Sequence, residues 1–198
     1  MTNYVEETLR YYDRHVRDFV DDTLDLDMSS MYRVFEKYID AGGAILDLGC
    51  GHGRDVRHFI SEGYHVTGID GSRRMCDYAS EYTGQHIQCK KFSELEYYEC
   101  FDGVWASASL LHVAKKDLPD ILKKIHRALR PGGYLFLSLK RGGFEGMRDE
   151  KYYSDYTEQE FFQLIEQCGG FAIAEYVNSE DQREDNKTQW INVVLRRN

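Results

Sequence analysis

A glycine-rich segment is the part of this sequence with the clearest capacity for chemistry. Residues 47–53 read Asp-Leu-Gly-Cys-Gly-His-Gly, and they complete a short apolar run that begins at Ala44. Glycine allows the backbone to turn tightly, and its missing Cβ lets a ligand approach the chain closely. The helix expected from Arg54 onwards presents free backbone N–H groups and the positive end of its dipole to the same place. The segment therefore predicts a ligand-binding loop between a strand and a helix.

Three interpretations of this loop compete. A dinucleotide-binding G-x-G-x-x-G motif needs glycine at its sixth position, where this chain has Arg54. A phosphate-binding P-loop needs Lys followed by Ser or Thr, and no such pair follows. A tight turn without a ligand is the third interpretation. Asp47 argues against it, because a carboxylate near the end of a buried strand is costly unless a ligand ammonium group or backbone N–H groups meet it.

An acidic residue follows the loop at an informative distance. Asp70 lies 17 residues after Gly53, at the end of the second expected strand. A carboxylate in that place can accept hydrogen bonds from both hydroxyl groups of an adenosine ribose. A cap for the next helix is the alternative role for a lone Asp at a strand end. The joint placement of loop and acid favours the cofactor interpretation.

Strand and helix patterns alternate through most of the chain. Short apolar runs predict strands, and apolar residues at steps of three and four predict helices. The expected strands cover 44–48, 64–69, 86–89, 101–106, 134–139, 171–177 and 188–195, and the expected helices cover 5–20, 29–39, 54–62, 72–82, 117–129 and a segment that starts at Thr157. The alternation predicts an α/β fold, a doubly wound and mostly parallel sheet with helices on both faces. In such sheets, ligands bind beyond the carboxyl ends of the strands.

The composition limits the partners that this chain can have. Its 198 residues include 25 Lys and Arg against 34 Asp and Glu, a net charge of −9, and more than half of the acidic excess lies in the first forty residues. A broad nucleic-acid-binding face needs an excess of basic residues, so nucleic acid is a disfavoured partner. No segment approaches the ~20 apolar residues of a membrane span. The five cysteines are scattered and form no C-x-x-C pair, which favours reduced thiols in the cytoplasm and predicts no metal site.

Several segments together resemble the class I S-adenosylmethionine-dependent methyltransferases. The stretch 45–70 contains the glycine loop and ends with Gly-Ile-Asp. It resembles the first motif of that family and the segment that follows this motif. Residues 101–106 resemble the fourth-strand motif, and residues 129–135 resemble the turn before strand five. Residues 53–55 and 109–113 are most similar to the small tellurite-resistance-type group. The resemblance implies a Rossmann-like seven-stranded sheet, mostly parallel, with an antiparallel last strand and an N-terminal helical cap.

The same resemblance implies a single domain, residues 1–198, with three segments. These are an N-terminal helical cap at 1–40, a cofactor-binding core at 44–140 and an acceptor-side insertion at 141–156. Eight of the 15 tyrosines fall in the cap and the insertion. We therefore expect an aromatic, acid-flanked lid over the site, suited to a small or cationic acceptor.

The resemblance also implies which residues contact S-adenosylmethionine. The glycine loop would surround its methionine part, the acid after the second strand would hold the ribose, and the residues that follow would lie near the adenine. Family members often carry an acid after the third strand, whereas residues 89–92 read Cys-Lys-Lys-Phe, so Phe92 and backbone groups would contact the adenine instead. The predicted cofactor residues are Asp47, Gly49, Cys50, Gly51, Gly53, Asp70, Gly71, Met75, Phe92 and Ser107.

The catalytic residues are the least predictable part, because the sulfonium of the cofactor already activates the methyl group. The transfer mainly needs an acceptor held in line with water excluded, and it needs a base only where the acceptor must lose a proton. His112, at the crevice mouth, is one candidate, and it equally suits a turn that packs against the loop. Arg141 is a candidate for binding an anionic substrate, together with Lys140 and Arg148; an exposed charged loop is the alternative. Tyr12 is the third candidate, and it also suits a helix packed on the sheet.

These observations predict a cytoplasmic enzyme that transfers a methyl group from S-adenosylmethionine to a small-molecule acceptor, either a metabolite or a metalloid oxyanion. A tRNA-nucleoside methyltransferase is one alternative, which the acidic balance disfavours. A non-catalytic protein that binds the cofactor and a partner protein is the other, and the intact glycine loop argues against it. Neither the acceptor atom nor an oligomeric state follows from the sequence.

Overall fold

The computed structural model describes residues 3–183 and 187–198. Its strands are β1 (Ala44–Leu48), β2 (His65–Asp70), β3 (Gln88–Cys89), β4 (Phe101–Ala106), β5 (Leu129–Lys140), β6 (Glu145–Arg148), β7 (Lys151–Ser154), β8 (Phe171–Glu180) and β9 (Gln189–Arg197). Its α-helices are α1 (Asn3–Arg14), α2 (Val16–Thr23), α3 (Ser29–Glu36), α4 (Arg54–Ser61), α5 (Arg73–Thr83), α6 (Leu118–Ala128) and α7 (Glu158–Cys168). No helix in this described part of the chain is long and apolar enough to cross a membrane.

Seven of these strands form one sheet in the order β3-β2-β1-β4-β5-β9-β8. The first five strands of that order pair in parallel. Strand β9 pairs antiparallel with both β5 and β8, so it runs against the other strands of the sheet. The predicted fold class is therefore confirmed. The chain order reverses between β1 and β4, and this reversal opens a crevice beyond the carboxyl ends of the two strands.

One face of the sheet carries a cluster of aromatic rings. Trp105 of β4 and Phe136 of β5 are neighbours in register, and their rings stack with centroids 4.0 Å apart. Phe35 of α3 contacts both rings and is completely buried. Burial of such a side chain contributes about 1.5–3 kcal/mol. The third helix of the predicted N-terminal cap is thus part of the core, whereas α1 and α2 lie over the crevice.

The opposite face of the sheet is covered by α6 and α7. Leu135 and Leu137 of β5 point to this face, because side chains alternate along a strand and Phe136 points to the other one. They share one buried cluster with Ile125 of α6 and Phe161 of α7. Helices on both faces bury the central strands and leave their carboxyl ends free for a binding site.

The first N-terminal helix is interrupted, contrary to the continuous helix that the apolar spacing predicted. Helix α1 ends at Arg14 and α2 begins at Val16. His15 lies between them with φ −116° and ψ 32°, and its Nδ1 donates to the carbonyl oxygen of Tyr11 at 2.8 Å. A side chain that bonds to the backbone one turn earlier competes with the helical pattern.

The acceptor-side insertion contains a hairpin, β6 and β7, which was absent from the predicted elements. Asp149 and Glu150 form its turn, with φ of 49° and 61°. Two consecutive positive φ angles are typical of the type I′ turn, which Asn-Gly or Asp-Gly usually marks. Because the second residue here is Glu150, the usual sequence signal for the hairpin is missing.

Candidate cofactor and acceptor site

A cavity of about 690 Å³ lies where the strand order reverses. Its walls come from the glycine loop after β1, the turn after β2, the segment after β4, helices α1 and α2, and residues of β5, β7 and β9. Small-molecule sites typically enclose ~300–1,000 Å³, so this volume suits a ligand of cofactor size. Among the described residues, no group of three His, Cys, Asp or Glu side chains is arranged to hold a metal ion.

The glycine loop folds back onto the end of β2. The N–H groups of Gly49 and Cys50 both donate to the carbonyl oxygen of Ile69, at 2.9 and 3.0 Å. Gly49 has a φ of +81°, and a Cβ added to it would lie 2.5 Å from Cβ of Ser109. Only glycine fits a position that is both left-handed and this close to a neighbour. The loop is therefore fixed against the segment that follows β4.

Asp70 joins the glycine loop to the turn after β2. Its Oδ2 accepts a hydrogen bond from Gly51 N at 2.9 Å, and its Oδ1 accepts one from Ser72 N at 2.8 Å. Burial raises the pKa of Asp70, against the opposing effect of these two bonds. Each carboxylate oxygen has about two acceptor positions, so each keeps one for a further donor. Asp70 lines the cavity, where those positions suit the two hydroxyl groups of a ribose.

Two of the predicted cofactor residues, Asp47 and Gly53, do not line the cavity. Asp47 is 2% exposed, and its Oδ2 has no hydrogen-bond partner. Burial, followed by the nearby carboxylate of Asp55, raises the pKa of Asp47 well above its usual range. Gly53 lies at the start of α4, where a Cβ would meet Thr83 at 2.7 Å. Asp47 and Gly53 lie beneath the glycine loop and support its conformation.

The other predicted cofactor residues do line the cavity: Gly49, Cys50, Gly51, Asp70, Gly71, Met75, Phe92 and Ser107. The ring of Phe92 lies 3.2 Å from the point that a Cβ on Gly49 would occupy. A Cβ on Gly71 would meet Leu9 of α1 at 2.7 Å, so the helix lies directly on this turn. Glycine backbone, an aromatic ring and a hydrogen-bonded carboxylate together make a wall that fits an adenosine group.

Helices α1 and α2 cover the cavity and are anchored to the core on several sides. Asp13 of α1 accepts hydrogen bonds from the Ser72 hydroxyl at 2.6 Å and from Arg74 N at 3.1 Å. Phe19 of α2 lies 3.2 Å from the point that a Cβ on Gly51 would occupy. Further contacts hold α1 on the acceptor side: the Tyr4 hydroxyl donates to Asp117, Glu6 pairs with Lys91, and Tyr152 N donates to the Thr8 hydroxyl. These two helices therefore form a lid.

Tyr12 of α1 and His112, which follows β4, meet inside the cavity. The Tyr12 hydroxyl lies 2.7 Å from Nε2 of His112, and Nδ1 of His112 lies 2.6 Å from the carbonyl oxygen of Tyr152. A carbonyl only accepts, so Nδ1 carries the proton and Nε2 accepts from Tyr12. Burial lowers the pKa of His112 to about 4 and raises the pKa of Tyr12 well above 10. Both groups are consequently neutral at neutral pH.

Cationic and aromatic side chains line the far end of the cavity, beside the hairpin. Lys140, Lys151, Arg183 and Tyr153 all contribute to this wall. The ammonium of Lys140 lies 4.3 Å from the centre of the Tyr153 ring, and that of Lys151 lies 3.9 Å from the Tyr11 ring. Burial, followed by the charges of neighbouring cations, lowers the pKa of Lys140.

The candidate Arg141 does not reach this wall. It pairs with Glu158 at 3.4 Å and donates to Gln189 at 3.0 Å, outside the cavity. Successive residues of an extended chain point to opposite sides, so Lys140 points inward and Arg141 outward. Arg148 also lies outside the lining and pairs with Asp155. Of the three cations expected to bind an anionic substrate, the structure brings only Lys140 into the cavity.

The family model of the methyltransferase domain matches residues 45–133 of this chain. This segment of the chain is similar to a methyltransferase domain. The matched region holds the glycine loop, Asp70, Phe92 and the segment after β4 that carries His112. The predicted resemblance to class I methyltransferases is confirmed, and the narrower similarity to the tellurite-resistance-type group stays a prediction.

Two curated relatives are about a third identical to roughly half of this chain. Phosphoethanolamine N-methyltransferase 1 of Zea mays is 33% identical over 107 residues, which are 49% of this chain and 20% of the relative. Malonyl-[acyl-carrier protein] O-methyltransferase of Salmonella typhimurium is 32% identical over 108 residues, which are 53% of this chain and 42% of the relative. The chain thus spans less than half the length of either relative.

Solved structures share the fold over almost the whole chain. The 1,6-didemethyltoxoflavin-N1-methyltransferase of Burkholderia thailandensis, with bound 1,6-didemethyltoxoflavin and S-adenosylhomocysteine, matches with a TM-score of 0.79 and 20% identity, covering 98% of this chain and 88% of that one. A SAM-dependent methyltransferase of Methanosarcina mazei matches with a TM-score of 0.75 and 22% identity, covering 87% of this chain and 99% of that one. At these identities the similarity shows the fold alone.

The methyltransferase domain and its flanking strands bring together residues that sequence reasoning missed. Lys151 and Tyr153 lie two positions apart on β7 and so share one face of the hairpin. Residues 151–154 read Lys-Tyr-Tyr-Ser and lack the polar and apolar alternation that indicates a strand, so the sequence carries no signal for this pair. Arg183 carries no signal either, since it reaches the cavity only through the pairing of β8 with β9.

Proposed function

We propose that this protein transfers the methyl group of S-adenosylmethionine to a small-molecule acceptor. The observation that carries the proposal is the hydrogen bond from Gly51 N to Asp70 Oδ2, which holds the glycine loop and the ribose-binding carboxylate at one wall of a single cavity. The match to the methyltransferase domain supports it, and so does the fold shared with an enzyme crystallised with S-adenosylhomocysteine.

The residues present fit this cofactor. Asp70 has one free acceptor position on each oxygen for the ribose hydroxyl groups, and Phe92 and Met75 provide apolar surface for the adenine. The backbone of Gly49 and Gly51 leaves room for the methionine part. When bound, the cofactor supplies a methyl group that its sulfonium makes electrophilic. The protein then has to hold the acceptor in line with that group and keep water out.

The enclosure of the site supports a small acceptor rather than tRNA. The lid closes one side of the cavity through the contact of Tyr12 with His112, and the hairpin closes another through the bond from Tyr152 N to the Thr8 hydroxyl. An RNA backbone would need an open, basic surface beside the crevice. Arg141 and Arg148, two cations of the acceptor-side insertion, are paired with Glu158 and with the buried Asp155.

Tyr12 and His112 can remove a proton from the acceptor where the chemistry requires it. Nε2 of His112 accepts from the Tyr12 hydroxyl, so the phenol oxygen keeps an acceptor position for an N–H or O–H of the substrate. As the acceptor atom is methylated, its proton moves to the Tyr12 oxygen while the Tyr12 proton moves to Nε2. The bond from Nδ1 to Tyr152 holds the imidazole in the required tautomer.

A transfer screen tests this function. The protein is incubated with methyl-labelled S-adenosylmethionine and either pooled metabolites or pooled tRNA, and incorporated label is counted in each pool. We expect label in the metabolite pool that is lost in Asp70→Ala and kept in Asp77→Ala, since Asp77 is an exposed residue of α5 outside the cavity. Label in the tRNA pool alone would replace the small acceptor with a nucleoside. An absence of S-adenosylhomocysteine binding by calorimetry would refute the whole proposal.

A further inference from the structure

The far end of the cavity concentrates positive charge from three separate elements. Lys140 ends β5, Lys151 begins β7 and Arg183 follows β8. All three line the cavity, together with the ring of Tyr153. Lys140 and Lys151 are 11 positions apart and Arg183 follows 32 positions later, so the cluster is a product of the fold rather than of one basic segment.

Lys140 lies in surroundings that disfavour its own charge. Its ammonium is 4.3 Å from the centre of the Tyr153 ring and 6.0 Å from that of Trp190. Burial, followed by the charge of Arg148, lowers the pKa of this lysine, and Asp155 acts in the opposite direction. Aromatic faces attract a cation, but they compensate only part of the free energy that desolvation costs.

Lys151 shares the ring of Tyr153, with its ammonium 6.0 Å from the ring centre, and lies 3.9 Å from the centre of Tyr11. Among the described residues, no Asp or Glu forms an ion pair with Lys140 or Lys151. The two lysines therefore hold two positive charges near one tyrosine ring, beside a cavity from which bulk water is partly excluded.

Two carboxylates near this wall are engaged with guanidinium groups. Asp155 is 6% exposed and accepts from Arg148 at 3.4 Å. Asp181 accepts two hydrogen bonds from the guanidinium of Arg183, at 2.8 and 2.7 Å. Each of these acids thus pairs with a guanidinium, and neither forms an ion pair with the ammonium group of Lys140 or Lys151. A half-buried charge in this position is stabilised by an anion from outside the chain.

We propose that the methyl acceptor carries an anionic oxygen group, a carboxylate or a phosphate, which binds between Lys140 and Lys151 against the ring of Tyr153. This inference rests on the proposed methyl transfer and specifies the substrate class. Of the small or cationic acceptor expected from the aromatic, acid-flanked lid, the proposal keeps the small size and replaces the positive charge with a negative one. The lysines orient the substrate so that its reactive atom faces the lid residue Tyr12, which lines the same cavity.

Four aromatic probes of similar size test the charge preference directly. Benzoate and phenyl phosphate are anionic, benzyl alcohol is neutral and benzylamine is cationic. Each is titrated calorimetrically into the protein, both alone and saturated with S-adenosylhomocysteine. We expect at least one anion to bind about tenfold more tightly than benzyl alcohol, in line with a charge-assisted hydrogen bond. The ranking of the two anions then distinguishes a carboxylate acceptor from a phosphate acceptor.

Matched variants locate the binding. Lys140→Met and Lys151→Met keep most of the side-chain volume and remove the charge. Each should therefore lower the affinity for the preferred anion about tenfold and leave the affinity for benzyl alcohol unchanged. Lys116→Met is the control, because Lys116 is exposed and outside the cavity. Circular dichroism confirms that each variant is folded. Equal weakening by all three variants, tighter binding of benzylamine than of either anion, or no binding of any anion would overturn the proposal.

The experiments can refute the proposed anion site and the proposed methyl transfer independently of each other. Loss of S-adenosylhomocysteine binding with retained, lysine-dependent anion binding would refute the methyltransferase function and leave the anion site standing. Normal binding of S-adenosylhomocysteine without selectivity for the anions would refute the anion site alone. Lys140→Met should leave the affinity for S-adenosylhomocysteine within about twofold, because Lys140 is not among the residues that the proposed function assigns to the cofactor.

Discussion

The hydroxyl of Tyr12 lies 2.7 Å from Nε2 of His112, although 100 positions separate the two residues in the chain. The contact joins the lid to the segment that follows β4, and it lies inside the cavity. Its direction is fixed by the second bond of the imidazole, from Nδ1 to the carbonyl of Tyr152. The same pair therefore fastens the lid and presents a phenol oxygen to the acceptor.

Replacement of this hydroxyl should reduce turnover more than binding. Tyr12→Phe removes the proton path to His112, and we expect kcat to fall ~10²-fold or more for an acceptor that must lose a proton. The affinity for S-adenosylhomocysteine, measured by calorimetry, should change less than about threefold, the loss of one neutral hydrogen bond. Tyr98→Phe is the control, since Tyr98 is 66% exposed. An unchanged kcat would show that Tyr12 only anchors the lid.

Two buried histidines should make the protein less stable as the pH falls from neutrality towards 4. Burial lowers the pKa of His112 to about 4, and burial followed by Arg54 lowers that of His52 to about 4. The unfolded chain binds these protons near pH 6.5, so the stabilisation is complete above that pH and is lost as the pH falls towards 4. Each residue should contribute a loss of ~2 kcal/mol between pH 6.5 and 5.

Urea unfolding at pH 7, 6 and 5 measures this dependence. His112→Gln should remove about half of the histidine contribution to this pH dependence if the two histidines contribute equally. His86→Gln should leave it intact, because His86 is exposed. An NMR titration of the His112 ring gives an independent value, and a ring that titrates near 6.5 would contradict the predicted burial effect.

Asp70 should be the side chain on which cofactor affinity depends most. If both of its free acceptor positions bind ribose hydroxyl groups, Asp70→Ala should weaken S-adenosylhomocysteine binding by ~1–3 kcal/mol. Part of the loss will come from the glycine loop, because Gly51 N loses its acceptor. Asp77→Ala on α5 should bind as the wild type does. Equal affinity of the Asp70 variant would remove this carboxylate from the cofactor site.

Much of this site was predictable because its signals are local. The glycine loop, the acid at the end of β2 and the strand and helix periodicities are each read from one continuous segment of the chain. Ser72 caps α5 by accepting from Met75 N, and Thr157 and Glu160 form a capping box at the start of α7, as the sequence pattern indicated. Local hydrogen bonds of this kind depend on a few neighbouring residues and not on the tertiary fold.

The acceptor end was less predictable because distant elements build it. The direction of Arg141 depends on the register of β5 with β9, and the position of Lys151 depends on a turn formed by Asp149 and Glu150. Composition determines neither the direction of Arg141 nor the position of Lys151. The excess of acidic residues in the N-terminal region suggested a cationic acceptor, yet the lysines that line the cavity come from β5 and β7. Net charge describes the whole surface and not a particular wall.

Two glycines with similar φ angles allow the cost of backbone strain to be distinguished from the cost of a steric contact. Gly49 has a φ of +81° and Gly63 a φ of +89°, but a Cβ at Gly49 would lie 2.5 Å from Ser109, whereas a Cβ at Gly63 meets nothing within 4 Å. Gly63→Ala should cost ~1–2 kcal/mol from the left-handed conformation alone. Gly49→Ala adds the contact and should cost ~1–3 kcal/mol more in urea unfolding. Equal losses would mean that the loop and Ser109 separate freely.

Asp55 should be among the most sensitive buried residues, because three donors converge on its carboxylate. Its Oδ1 accepts from the Tyr32 hydroxyl at 2.6 Å and from Arg54 Nε at 2.7 Å, and its Oδ2 accepts from Trp105 Nε1 at 2.7 Å. Burial alone raises the pKa of Asp55, but Arg54 and these hydrogen bonds outweigh it and keep the pKa below its usual value. The carboxylate is thus ionised and balances the charge of Arg54.

Asp55→Asn keeps the shape of the side chain and removes its charge. The amide group offers one acceptor oxygen in place of two, so Arg54 loses its counter-charge and one of the three donors loses its partner. We expect a loss of ~3–5 kcal/mol in the free energy of unfolding, measured with urea by circular dichroism. Asp77→Asn, on the exposed side of α5, should change it by less than ~0.5 kcal/mol. A loss for Asp55→Asn as small as that of the control would mean that the aromatic cluster around Trp105 holds α4 without the ion pair.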